Sequence, residues 1–325
     1  MSTKTVRCEL CFRFCRLRPG ERGDCRVRYN LDGELVSLVY GRPCAVHVDP
    51  IEKKPLYHFL PGSRSFSIAT AGCNGHCVFC QNWEISQANP EDVRSEEMPP
   101  AEVVRGAKRT GSKSISYTYT DPNIFYEYAC DTSKIARGEG IKNVMVTAGL
   151  LNEKPLRRLA KYADAANVDL KGDAEFYRKY VMAELAPVQD YIRIALEEGM
   201  HLELTHLIVP TLNDSREDTE RLIGWVLANC GPDVPLHFSR FFPMYKLANL
   251  YPTPIETLYD AARAAMRMGM RYVYVGNVPS SEFQNTRCPG CGETVVVRRG
   301  YQRPDVKLVD GRCPKCSHRI PGVWR

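Results

Sequence analysis

The sequence contains no run of 18 consecutive apolar residues, which argues against a membrane-spanning helix. Its opening, MSTKTVRCELC, is not followed by the apolar stretch of about 7–15 residues that a secretory leader needs. Charge is also in short supply. A net of +6 demands no polyanionic partner, although a mildly basic surface would suit nucleic acid or an anionic cofactor. Hydrophobic and charged fractions of 44% and 25% are those of an ordinary globular protein, and 325 residues allow one large domain or two to three smaller units. Cysteine, by contrast, is in excess: there are fourteen, and eleven fall into three tight clusters, with Cys44 standing apart. Clustered cysteines without a leader point to metal binding in a reducing compartment rather than to disulfides, so the expected location is the cytoplasm.

The central cluster lies in SIATAGCNGHCVFCQNWEISQ, where Cys73, Cys77 and Cys80 have C-x3-C-x2-C spacing after an apolar run, Phe66 to Ala71, that reads as a buried strand. A closed structural zinc site takes four protein ligands, whereas three thiolates on a four-iron cluster leave one iron open for a small molecule. Gly72 and Gly75 let the chain double back so that the sulfurs converge. Phe79 places an apolar ring where an adenine could lie. The competing reading is a zinc site completed by His76 or by a distant ligand.

Cys8, Cys11, Cys15 and Cys25 fall within eighteen residues, in a segment too small to build much core. A metal would be its staple, either zinc or a second iron–sulfur cluster, and the spacing does not choose between them. At the other end, Cys288-x2-Cys291-x21-Cys313-x2-Cys316 reads as a zinc ribbon, with short β-branched strands expected at Thr294 to Val297 and Val306 to Val309. The basic run Arg298-Arg299 with Tyr301, Gln302 and Arg303 could touch nucleic acid or protein.

Between the outer clusters, strand and helix patterns alternate. Strands are expected at Ser65 to Thr70, Ser114 to Tyr119, Asn143 to Ala148, Ala166 to Leu170, Leu202 to Val209, Leu236 to Phe241 and Tyr272 to Gly276. Helical stretches such as Pro100 to Arg109, Phe125 to Arg137, Ala174 to Met182 and Arg216 to Ala228 separate them. Such βαβ repetition predicts an α/β fold whose parallel sheet curls into a partial or full (β/α) barrel, with one active site at the strand C-terminal ends. The groups brought to that rim include Thr120, Asp121, Thr147, Asp169, Lys171, His206 and, on neighbouring strands, His237, Arg240, Tyr117 and Tyr119. The ordinary roles of these types remain open: Asp121 could cap a helix and His206 could be a satisfied core histidine.

The C-x3-C-x2-C loop resembles the signature of radical S-adenosylmethionine (SAM) enzymes. In these, three cysteines hold a 4Fe-4S cluster whose open iron chelates SAM, and reductive cleavage yields a 5′-deoxyadenosyl radical that abstracts hydrogen. The segments SISYTYTDPNIFYEYA, AANVDLKGDAEFYRKY, HFSRFFPMYKL, RYVYVGNVP and CPKCSHRIPGVW further resemble the AmmeMemoRadiSam-system radical SAM proteins, themselves similar to the activating enzyme of pyruvate formate-lyase. The resemblance implies that Cys73, Cys77 and Cys80 ligate the cluster and that the Phe79 backbone contacts adenine. Thr120-Asp121-Pro122 stands where relatives carry a Glu that binds the SAM amino group, one methylene longer than Asp121. Asp169-Leu170-Lys171 matches a D-L-K near SAM, and Thr147-Ala148-Gly149 matches a Thr-Asn-Gly that here lacks the amide. Asn82 and His206 complete the expected cofactor-binding set.

The expected layout is therefore a cysteine-rich metal-binding module over residues 1–63, the radical SAM (β/α) barrel over 64–283 and the zinc ribbon over 284–325. The expected function is a radical SAM enzyme acting on RNA, a small molecule or a partner protein. The alternatives are a glycyl-radical-enzyme activase and, from another class, a non-catalytic zinc-binding adaptor. No cysteine-rich ferredoxin-like insert of the kind common in activases follows Cys80. Implied partners are a reductase or a flavodoxin or ferredoxin as electron donor, and Memo-like and Ammecr-like proteins.

Overall fold

Strands of a parallel sheet are buried along most of their length, and this chain supplies several such segments in succession, rich in β-branched and aromatic residues although not apolar throughout. The structure, a computed structural model, describes residues 4–279 and 281–325; the first three residues of the leader reading lie outside this range. Its main element is one eight-stranded sheet. In chain order the strands are β1 (Ala45–Pro50), β2 (Arg64–Ala69), β3 (Ser114–Tyr117), β4 (Lys142–Thr147), β5 (Ala165–Asp169), β6 (His201–Ile208), β7 (Leu236–Arg240) and β8 (Val273–Gly276). They lie side by side in that same order. All pairings from β2 to β8 are parallel. The crossovers carry α1 (Pro100–Arg109), α2 (Tyr126–Gly138), α3 (Glu153–Ala160), α4 (Leu185–Glu197), α5 (Arg216–Cys230) and α6 (Ile255–Met268). The sheet ends at β1 and β8, so it is an open, partial barrel. No helix among the described residues is long and apolar enough to cross a membrane.

Three local outcomes differ from the sequence reading. Residues 45–50, assigned there to the N-terminal module, form β1, which pairs antiparallel with β2 through six residues. Pro50 closes this strand at the sheet edge, where a missing N–H costs no ladder bond. The expected helix from Ala174 to Met182 is instead a single turn, Ala174–Phe176, followed by a π-helical segment, Tyr177–Val181, that ends in left-handed Met182 at φ 56. Arg298 is not a surface contact for nucleic acid: it is 2% exposed. Its guanidinium donates to the carbonyls of Gln284 (3.0 Å) and Tyr57 (2.6 Å) and lies over the Tyr57 ring.

The C-terminal segment forms a small antiparallel sheet from Thr286–Arg287, Thr294–Val297 and Asp305–Val306. Val295, Val296 and Ile320 pack against Tyr57, Tyr272 and Tyr274, so this sheet shares a core with the end of the main one. Glu203, at the centre of β6, is fully buried there. Its carboxylate accepts from the backbone N–H of Tyr57 (2.9 Å) and His58 (2.7 Å), and from the Nε2 of His201 (3.0 Å) and His237 (2.6 Å). Burial alone would raise its pKa, but bonding to His201 and then His237 holds it well below the usual glutamate range.

A folded-state pKa below the unfolded one contributes stability above about pH 4.3 that is lost as pH falls further. Glu203→Gln would turn an amide donor towards backbone donors, and we expect it to cost about 2–4 kcal/mol at neutral pH. Denaturant melts across pH should show the difference from wild type shrinking in acid. A constant difference would refute the assignment.

Candidate active site

Cys73, Cys77 and Cys80 lie in the loop that leaves the C-terminal end of β2. Gly72 begins it at φ +85. A Cβ there would stand 2.4 Å from the Cys25 carbonyl oxygen, so only glycine permits the approach of the N-terminal module. The loop's backbone is then held by the π-helical segment: His76 N–H donates to Val181 O and Val78 N–H to Tyr180 O, both at 2.9 Å. Excess turns of this kind concentrate at functional sites, and here the turn aims two carbonyls at the cysteine loop.

His76 completes no zinc site. Its Nδ1 is bonded to Gln87 Oε1 at 2.7 Å and its Nε2 to Asp24 Oδ2 at 2.6 Å. Nor do the three sulfurs close on one ion. Among the described residues, the metal-ligand atoms that gather within 4.8 Å of one another are those of Cys288, Cys291, Cys313 and Cys316. Thiolates around a single zinc are about 3.8 Å apart, given Zn–S bonds of about 2.3 Å. The wider set at Cys73, Cys77 and Cys80 suits a polynuclear cluster in which each thiolate meets a different iron. Burial pushes the Cys73 thiol up, and it pushes Cys77 up to about 12 although the Lys171 ammonium opposes it, so both ionise readily only on a bound cation.

Around this loop the strand ends bring together most of the expected groups. Asp121 is buried next to Cys73 and accepts from Asn123 N–H (3.0 Å), Ala148 N–H (3.0 Å) and the Thr147 hydroxyl (3.1 Å). It thus caps the short helix Pro122–Phe125 as well as facing the cluster loop. Burial raises it to about 6 despite those three donors. Lys171 pairs with Asp169 at 2.5 Å. Burial alone would lower the ammonium, but Asp169, and after it Cys77, holds it above the ordinary lysine value. Asn82 reaches the Tyr119 carbonyl at 2.9 Å, and the Thr120 hydroxyl turns back to the Thr70 carbonyl at 2.9 Å.

Other rim candidates make hydrogen bonds within the fold. His237 is bonded to Glu203, Tyr117 lies between Asn143 and Ser133, the Tyr119 hydroxyl donates to Asp49, and Arg240 Nε donates to the Thr253 carbonyl.

Beside the loop opens a cavity of about 340 Å³, lined among others by Leu170, Phe176, His206, Asn213, Arg221 and Trp225. Its size falls within the range of small-molecule sites. The ring of Phe79 does not line it; that ring is buried against Phe176, centroids 5.7 Å apart, and Phe176 faces the cavity instead. A Cβ on Gly172 would meet the Phe176 ring at 2.7 Å, so the glycine after Lys171 makes room for it. Asn213 ties the rim together, donating to Lys171 O (2.8 Å) and Leu207 O (2.9 Å).

His206 Nδ1 lies 2.8 Å from the Leu170 carbonyl, which only accepts, so the proton is on Nδ1. Burial lowers its pKa to about 4, against the Leu170 contact, which leaves a neutral ring. Its Nε2 is therefore a buried acceptor, and it has no partner in the protein.

Fold and site together define an α/β protein that presents three convergent thiols and a ligand-sized cavity at the C-terminal rim of a parallel sheet. The chain belongs to the radical SAM superfamily, whose model matches residues 67–223. It is 45% identical, over 97% of its length and 95% of the other's, to an uncharacterized protein of Methanocaldococcus jannaschii. It is 24% identical to the pyruvate formate-lyase-activating enzyme of Clostridium pasteurianum over 50% of this chain and 68% of that one. Among solved structures, its fold is similar to that of a radical SAM methyltransferase from Sphaerobacter thermophilus, with a TM-score of 0.50, 17% identity and 67% of each chain covered. It is also similar in fold to Streptococcus suis SuiB bound to precursor peptide SuiA, with a TM-score of 0.52, 15% identity, and 70% of this chain and 51% of that one covered. Superfamily membership implies a 4Fe-4S cluster and SAM. The spread thiols fit the cluster, and the cavity of about 340 Å³, with His206 in its wall, has room for a small-molecule cofactor.

Proposed function

We propose that the chain binds a 4Fe-4S cluster through Cys73, Cys77 and Cys80, binds SAM at the strand ends, and acts on a C–H bond of its substrate. The observation that carries this reading is the juxtaposition of three thiols on one loop with a cavity whose walls that loop touches, through the Phe79 ring on Phe176 and the Val78 N–H on the Tyr180 carbonyl. When bound, the reduced cluster and SAM would supply a 5′-deoxyadenosyl radical. The residues supply position and dryness. Asp121 and Thr147 stand beside Cys73 to orient the amino group of SAM, and the Asp169–Lys171 pair stands beside Cys77 with opposite charges to offer. His206 Nε2 accepts from a hydroxyl or amino group of the nucleoside, and Phe176 offers it an apolar face.

The test is anaerobic reconstitution with iron and sulfide, reduction by dithionite, addition of SAM, and assay for 5′-deoxyadenosine and methionine. Both products are expected; a protein that takes up no cluster and forms neither would sink the reading. His206→Phe keeps a ring but deletes the acceptor, and a hydrogen bond of about 1–1.5 kcal/mol corresponds to roughly a tenfold rise in the SAM Kd. An unchanged Kd in calorimetric titration would remove His206 from the site.

A second reading, installation of a glycyl radical on a partner enzyme, is favoured by the similarity to the C. pasteurianum activating enzyme. Membership of the AmmeMemoRadiSam system would make Memo-like and Ammecr-like proteins the partners, with a flavodoxin or ferredoxin as electron donor. We assign zinc to Cys288, Cys291, Cys313 and Cys316, whose sulfurs pair at 3.5 Å and 3.7 Å, the spacing of a tetrahedral thiolate site.

A further inference from the structure

The N-terminal cysteines are built differently from the C-terminal four. Cys8, Cys11, Cys15 and Cys25 surround a cavity of about 20 Å³. They are mutual neighbours: Cys8 is close enough to feel the charge of Cys15, and Cys11 that of both Cys8 and Cys25. Yet no three of their sulfurs come within 4.8 Å of one another, whereas the C-terminal set does. Four thiolates on one zinc, about 3.8 Å apart, leave no water-sized space between them. Four sulfurs that ring a void and do not close within 4.8 Å of one another lack the geometry of a mononuclear zinc site and match thiolates that each meet a different iron.

The lining supplies what a multiply charged anionic occupant would require. Arg28 is buried against the cavity; its Nη2 is held by Glu127 at 2.7 Å, while its Nε, a donor, has no partner. The Asn74 amide reaches Cys11. Arg13 also lines the wall, with its Nε on the Asn74 carbonyl at 3.0 Å. From these observations the geometry points to a second iron–sulfur cluster, held by Cys8, Cys11, Cys15 and Cys25, with Arg28 Nε as a hydrogen-bond donor to it. Its place is next to the SAM cluster loop: Asn74 adjoins Cys73 in the chain, and the Cys25 carbonyl lies against Gly72.

The test uses the full chain with Cys73→Ala, Cys77→Ala and Cys80→Ala combined, reconstituted anaerobically with iron and sulfide. Wild type should bind about eight iron and eight sulfide, and the triple variant half as much, about four of each. On reduction the variant should show an electron paramagnetic resonance signal that SAM does not alter. A triple variant that binds no iron, whether it takes up zinc or stays empty at these cysteines, overturns the assignment. Should that variant fail to fold, wild type decides: SAM should shift only part of the reduced-cluster spectrum, and a spectrum that shifts as a whole with about four irons overturns it. Metal content is read here in a protein unable to cleave SAM, so the outcome is independent of the proposed activity.

Discussion

Cys77→Ala is expected to fold, to lose the cluster at its loop, and to form no 5′-deoxyadenosine above the protein-free background. Three thiolates are the minimum for this site, and the nearby side chains are already engaged: Asp169 pairs with Lys171 and Asp121 accepts three hydrogen bonds. His76 has both ring nitrogens bonded, and Ser86, 3.2 Å from Cys80 Sγ, offers only a hydroxyl. Folding should survive because the loop is held by backbone bonds from His76 and Val78 to the π-helical segment, none of which uses the Cys77 side chain. Removing one sulfur costs about 1 kcal/mol of packing. Lys171 loses a neighbour but keeps Asp169. Cys44→Ala is the control: Cys44 lies outside all three clusters, its backbone N–H donating to the Ala69 carbonyl, a bond the substitution keeps, and the variant should leave both cluster content and SAM cleavage intact. Iron and sulfide analysis beside the product assay separates the cases. Undiminished SAM cleavage by Cys77→Ala would mean that the cluster sits elsewhere.

The parallel strands were legible in the sequence because short segments rich in β-branched and aromatic residues, such as β3, β4 and β8, recur between helical patterns, even where buried polar residues such as Ser114, Ser116 and Glu203 interrupt them. The cysteine loop was legible because the number and spacing of thiols are set by the chemistry of the ligand rather than by the fold. Legibility failed where a side chain's role depends on what another part of the chain brings to it. Ala45 to Val48 looks like any short apolar segment, and only its ladder with β2 makes it the sheet's first strand. Phe79 and Phe176 are interchangeable on paper; which one faces the cavity follows from the π-helical segment, whose extra residue no local preference reveals. Arg298 reads as surface charge until Tyr57 and Gln284, distant in sequence, provide its carbonyl partners. Asn213 could be read as a turn residue, and it is one, but its amide also spans two strand-end loops. Asp121 shows the limit of choosing between a structural and a functional reading, since it caps Pro122–Phe125 with the same carboxylate that faces Cys73.

Gly72→Ala is expected to be the most destabilising single-methyl change in the cysteine loop. Two independent costs add at this position. The backbone is left-handed at φ +85, where any Cβ is strained by about 1–2 kcal/mol. The new atom would also stand 2.4 Å from the Cys25 carbonyl oxygen and 2.6 Å from Val27 Cγ1. Val27 is fully buried and the Cys25 carbonyl is backbone, so neither can swing aside, and the N-terminal module must move away from the loop. A total loss of about 3–5 kcal/mol follows, towards the upper limit for a point substitution. The contrast is Gly138→Ala, at the C-terminal end of α2, where a Cβ meets nothing within 4 Å; it should be neutral or stabilise by up to about 1 kcal/mol. Denaturant melts of both variants give the comparison. Because Gly72 adjoins Cys73 on one side and touches Cys25 on the other, the strain should also lower iron uptake by the reconstituted protein. Equal stability and equal iron in Gly72→Ala and wild type would mean that the two cysteine segments do not pack together as described.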